Sequence, residues 1–168
     1  MFSIPKNRKT LLFILAIGSP IAFSVWQALL NNFAVEVANF GGKEIGMLQS
    51  LREVPGFLAF TVVFLLLIIR QQNFAILSLI ILGIGTAVTG FFPSIIGLYI
   101  TTVTMSIGFH YLETLRSSLS LQWLSKDEAP RVLGKLLSVH SASTLVVLSI
   151  LYIVVFMVVP NYPWLYAV

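Results

Sequence analysis

Thr102, Ser106, His110, Glu113 and Ser117 fall at i, i+4, i+8, i+11 and i+15, one stripe of an α-helix. Hydroxyls on such a stripe can bond back to their own helix carbonyls, which is the plainer account of Thr102, Ser106 and Ser117. Two ionisable groups one turn apart weigh the other way. In an apolar run they face a bundle interior or a watery cavity. His110 and Glu113 are therefore the candidate proton-handling pair, with Arg116 one turn further on to hold the carboxylate. His110 is expected about 9 Å from the end that Arg116 marks.

A second apolar run carries Gln49, Arg52 and Glu53, followed by Pro55 and Gly56. Pro55 removes a helix hydrogen bond and is expected to kink the run. Arg52 should lie about 10 Å inside an outer end at Ile45. Adjacent helix positions point about 100° apart, so Arg52 is expected to pair with another helix rather than with Glu53. Glu36 is the nearest acidic residue by depth. The pair is either structural or part of a substrate or gating site. Gln27 and Asn31 share a face of the first run with Ser24, beside Asn32 and Glu36, while His140 and Ser141 lie near the start of the last run. These residues complete the set expected to line a cavity or form ion pairs.

Other chemistries are poorly served. With no cysteine there is no thiol nucleophile and no thiolate metal site. The two histidines stand in different runs, so no metal centre is expected. No aspartate lies in an apolar run, and the spacing of His140 and Ser143 is too common to indicate a protease. No glycine-rich phosphate loop appears. The chain is not expected to be an enzyme, and no cofactor is expected.

The elements that must position these residues follow from composition. Of 168 residues, 58% are hydrophobic and 10% charged, against roughly 45–50% and 25% in an ordinary globular domain. A soluble domain of this length cannot hide so much apolar surface. Mean hydropathy of +0.97 agrees. The fold class is an all-α membrane protein, a polytopic bundle of transmembrane helices with the lipid bilayer as its partner. Apolar runs place five spans at approximately 11–39, 45–69, 74–92, 94–115 and 132–159, with an incomplete sixth from 164. Each is long enough for the ~20 residues that cross the hydrocarbon, and too long for a barrel strand. The whole of 1–168 reads as a single bundle, and the chain is expected to continue beyond Val168. The third span carries few polar groups and is expected to face lipid, with Gly83, Gly85 and Gly90 permitting close packing.

The net charge of +4 and pI near 9.6 report orientation rather than nucleic-acid binding. With the N-terminus in the cytoplasm, Lys6, Arg8, Lys9, Arg70, Arg116, Lys126, Arg131 and Lys135 fall inside, and only Lys43 falls outside. The N-terminus is expected to be cytoplasmic.

Spans one, two, four and five carry polar faces, and span three does not. With Gly46-x-Leu48-x-Ser50 opening span two, Trp123-Leu-Ser-Lys-Asp-Glu-Ala-Pro-Arg-Val-Leu-Gly134 linking spans four and five, and Pro160-Asn-Tyr-Pro-Trp164-Leu after span five, the pattern resembles the N-terminal half of a major facilitator superfamily transporter. In that family helices one, two, four and five surround the central cavity. The family's charged loop between helices two and three is reduced here to Arg70-Gln71-Gln72-Asn73, and Thr104 stands near the place of an arginine. No residue role is carried over from those motifs. The resemblance implies secondary active transport of a small solute, completed by missing C-terminal helices in a bacterial inner membrane; symport, antiport and uniport all stay open, with a proton as the candidate coupling ion. The alternative is a small helical subunit or assembly factor without transport activity.

Overall fold

A computed structural model describes residues 8–158. Lys6, the end of the fifth span at Val159 and the incomplete sixth span from Trp164 lie outside the described residues. Six α-helices follow in order: α1 Arg8–Glu36, α2 Gly42–Phe57, α3 Val62–Leu65, α4 Gln71–Thr89, α5 Ile95–Trp123 and α6 Ala129–Val158, with a 3-10 turn, Leu58–Thr61, between α2 and α3. Among the described residues there are no strands. Taking α2 to α3 as one, five segments are long and apolar enough to cross a membrane. The protein is an all-helical, multi-pass integral membrane protein.

The ends of the helices are set locally. After α1, Asn39 adopts φ 56°, a left-handed geometry that asparagine tolerates, and Phe40 N–H closes the turn onto the Ala34 carbonyl at 2.9 Å. Glu44 accepts from Gly41 N–H at 3.0 Å at the start of α2, and Ser94 Oγ accepts from Gly97 N–H at 3.1 Å at the start of α5. The turn into α6 is a reciprocal cap: Ser125 Oγ accepts from Glu128 N–H at 3.4 Å, and Ser125 N–H donates to Glu128 Oε1 at 3.3 Å. Pro20 is buried within α1 without ending it.

Two expectations change. The fourth span does not stop near Leu115, because α5 continues through the polar Arg116–Gln122 stretch to Trp123. Polar residues end an apolar run, but they do not end a helix. The third span, α4, does not simply face lipid: Phe74, Ala75, Ser78, Leu82, Gly85 and Thr89 are buried, while Leu77, Ile80 and Ile84 are exposed. Its buried face meets α5. A Cβ at Gly85 would lie 2.6 Å from Met105 Cα, and one at Gly108 only 2.3 Å from Leu82 N. Gly83 and Gly90 have nothing within 4 Å and take no part in close packing.

One end of the bundle gathers the basic residues. Lys9 Nζ meets Glu128 Oε2 at 2.6 Å, Arg8 lies 5.8 Å from the Trp123 ring centroid, and Gln122 donates to Gln71 Oε1 at 3.0 Å. These contacts put the start of α1, the α3–α4 turn and the α5–α6 turn together. At the other end Tyr99 donates to the Glu44 carbonyl at 3.3 Å and packs edge-on against Phe40.

Candidate functional site

Residues from α1, α2 and α5 converge on a cavity of about 110 Å³, lined by Phe23, Arg52, Glu53, Met105, Ser106, Phe109 and His110. Four of these, Arg52, Glu53, Ser106 and His110, are site residues expected from the sequence. Their depth is informative. Arg52 lies ten residues into the Gly42–Leu65 segment, about 15 Å along it. His110 lies fifteen residues into α5, about 22 Å along a helix of about 43 Å. Both lie near the middle of their helices, and His110 still stands six residues, about 9 Å, before Arg116, because α5 runs on past the apolar run. The helices begin earlier or run later than the apolar runs do.

Three contacts join α5 to the break in α2. Ser106 Oγ donates to the Arg52 carbonyl. The His110 ring rests on Gly56, where an added Cβ would come 2.7 Å from Cε1. Tyr111 and Thr61 hydroxyls are 2.7 Å apart. Pro55 cannot donate to the Leu51 carbonyl, and three residues later the backbone tightens into the 3-10 turn. The kink expected at Pro55 is thus a change of helix type just beyond it, clasped by one face of α5. Phe23 and Phe109 stack at 4.1 Å beside the cavity, and Phe109 meets the His110 ring edge-on at 5.2 Å.

Arg52 does not reach Glu36. Its Nε and Nη2 donate to Glu53 Oε1 at 2.9 and 2.7 Å. Neighbouring Cβ directions diverge, but a long guanidinium side chain can fold back on the adjacent carboxylate. Glu36 is exposed at the end of α1. The Arg52 side chain is 25% exposed and Glu53 59%, so the pair is half open rather than enclosed between helices.

His110 and Glu113 also separate. While the His110 ring packs on Gly56, Glu113 turns to Arg116, three residues further on. Its Oε2 accepts from Arg116 Nη2 at 2.6 Å, while Oε1 is buried without a partner. No hydrogen bond joins His110 to Glu113 among the described residues.

The remaining candidates are scattered. Gln49 donates to Asn31 Oδ1 at 3.5 Å, a long contact between α2 and α1. Gln27 and Ser141 are exposed. Thr102 is fully buried and its hydroxyl has no partner. His140 lines a separate cleft of about 380 Å³ between α5 and α6 with Arg116, Ser117 and Ser120, and its Nδ1 is buried without a partner.

Sequence reasoning missed Phe23, Phe109, the seat that Gly56 gives the His110 ring, and the Thr61–Tyr111 bond. An available signal was Gly56 directly after Pro55, a position where a neighbouring helix can approach closely. The aromatic pair carries no signal beyond ordinary core. Among the described residues no three His, Asp or Glu gather as a metal site. Comparison of the chain with family models, curated proteins and solved structures finds no match.

Proposed function

We propose that the chain is the N-terminal bundle of a secondary transporter that moves a small solute by alternating access, as its resemblance to major facilitator transporters implies. The observation that carries this reading is the cavity between α1, α2 and α5, where Arg52, Glu53, Ser106 and His110 meet. Charge at the middle of a bilayer is costly and marks substrate or ion paths, and transporter sites lie near the midplane beside interrupted helices. The α2 break at Leu58–Thr61 supplies the interruption. In this reading Arg52 and Glu53 exchange their mutual bond for bonds to a polar solute, and His110 carries the exchangeable proton. Glu113, held by Arg116, serves nearer the basic end. That end is assigned to the cytoplasm of a bacterial inner membrane by the excess of Lys and Arg there, and further C-terminal helices complete the path.

This chain has no cysteine of its own, so one introduced into it is a unique label once any in the further helices are replaced. Phe23→Cys lines the cavity without removing a charge. In the intact protein in native membranes it is expected to react with an impermeant thiol reagent applied from either face. Reaction from only one face, or from neither, would overturn alternating access.

A second reading, a helical subunit or assembly factor, is favoured by α6, whose most apolar window has no buried residue. A stable stoichiometric partner on purification, together with one-sided labelling of Phe23→Cys, would select it.

A further inference from the structure

We propose that the groove between the first turns of α1 and α6 binds the phosphate of an anionic lipid headgroup. Lys9 and Phe13 from α1 face Glu128, Arg131, Val132 and Lys135 from the α6 end across a space of about 370 Å³. Three cations and a single carboxylate line it. The carboxylate is already engaged: Glu128 takes a 2.6 Å bond from Lys9 and a 3.3 Å bond from Ser125 N–H. Arg131 and Lys135, at i and i+4 on one face of α6, are exposed and form no ion pair among the described residues. The groove therefore presents uncompensated positive charge.

Its position selects the ligand. α1 and α6 both enter the apolar region at this end, so the cations stand at headgroup depth. Phe13 and Val132 give the groove apolar walls. A phosphodiester fits this arrangement, because a guanidinium can bond two of its oxygens in parallel while ammonium groups act as point charges. Basic grooves between membrane helices suit such headgroups. Inorganic phosphate shares the chemistry but has no use for the apolar walls.

The test is native mass spectrometry of the intact protein in non-ionic detergent, with phosphatidylglycerol or phosphatidylcholine added. Phosphatidylglycerol is expected to be retained preferentially, and the double variant Arg131→Gln/Lys135→Gln to hold it about thirtyfold more weakly. The control, Lys43→Gln/Lys126→Gln, removes the same charge from residues outside the groove and should change retention little. Both pairs are exposed, and unchanged helical circular dichroism checks folding. Equal losses in both double variants would assign the effect to diffuse surface charge and overturn the site. Unchanged retention in Arg131→Gln/Lys135→Gln would overturn it as well. Displacement of the lipid by inorganic phosphate at comparable concentration would reassign the groove to free phosphate and overturn the lipid assignment.

Discussion

The two sides of α5 are packed differently. Towards α4 its backbone approaches so closely that Gly108 and Gly85 are required, and towards α2 it makes three specific contacts around the helix break. Towards α6 it stands off, leaving a cleft of about 380 Å³ with Leu121 and Leu137 exposed at its rim. In lipid, helix association comes from close packing and interhelical bonds rather than from the hydrophobic effect. The α4–α5 seam has that closeness and the α5–α6 side does not. The charged cavity lies on the close-packed side, where the surrounding backbone can hold Arg52 and His110 in register.

The largest effect should come from closing the tight seam. In Gly108→Ala the new methyl would meet Leu82 N and Ser78 O, backbone atoms that cannot swing away. Overpacking of this kind costs about 1–3 kcal/mol or more, read as a lower melting temperature in detergent. Gly83→Ala, on the open side of α4, meets nothing within 4 Å and should leave the temperature unchanged or slightly raised. Equal melting for the two variants would break the contrast.

Gly56→Ala should have a smaller effect, because its methyl meets the edge of the His110 ring rather than backbone. A cost of about 1 kcal/mol is expected. It should largely vanish in a His110→Ala background, and a double-mutant cycle measures that coupling directly. Additive costs would mean that the ring does not rest on Gly56. Smaller again is Leu145→Ala on α6, where 69% of the residue is exposed. A change within about 0.5 kcal/mol is expected. A larger loss in native membranes than in detergent would sharpen the comparison by showing that another helix covers α6.

Much of this was legible beforehand, and for definite reasons. Long apolar runs with few charges leave only membrane helices, so the fold class followed from composition. The Ser106–His110 spacing put both residues on one face, and that face does line the cavity. Helix ends were misplaced because solvation, not helicity, changes at Arg116. The partner of Arg52 was misjudged because backbone direction was allowed to stand for the reach of a long side chain. Gly108 was overlooked although Gly85 was noticed. Gly108 lies about 200° round the helix from Ser106, off the polar stripe, and looks unremarkable until the facing helix is known. Which faces meet is decided by tertiary packing, and a single sequence carries that only faintly.

The smallest effect belongs to the exposed link at the basic end. The hydrogen bond from Lys9, helped by Ser125 N–H and by the positive charge of Lys9, holds the Glu128 carboxyl below its ordinary value of 4.5. A lowered folded-state value means that the unfolded chain takes up the proton first as pH falls. The link's contribution to stability is therefore fully present at neutral pH, begins to fade near the ordinary carboxylate range, and is gone once pH has fallen through the folded value. Both partners are solvent-exposed, so the contribution is small and weakens with salt. Glu128→Gln should melt slightly below the wild type at neutral pH and low salt, and the difference should shrink to nothing in acid. Lys9→Gln should flatten the same pH dependence while leaving the Gly108 contrast untouched, since the link lies far from the α4–α5 seam. A difference between wild type and Glu128→Gln that persists undiminished in acid would show that Glu128 stabilises the turn through its neutral form, as a cap on Ser125, rather than through its charge.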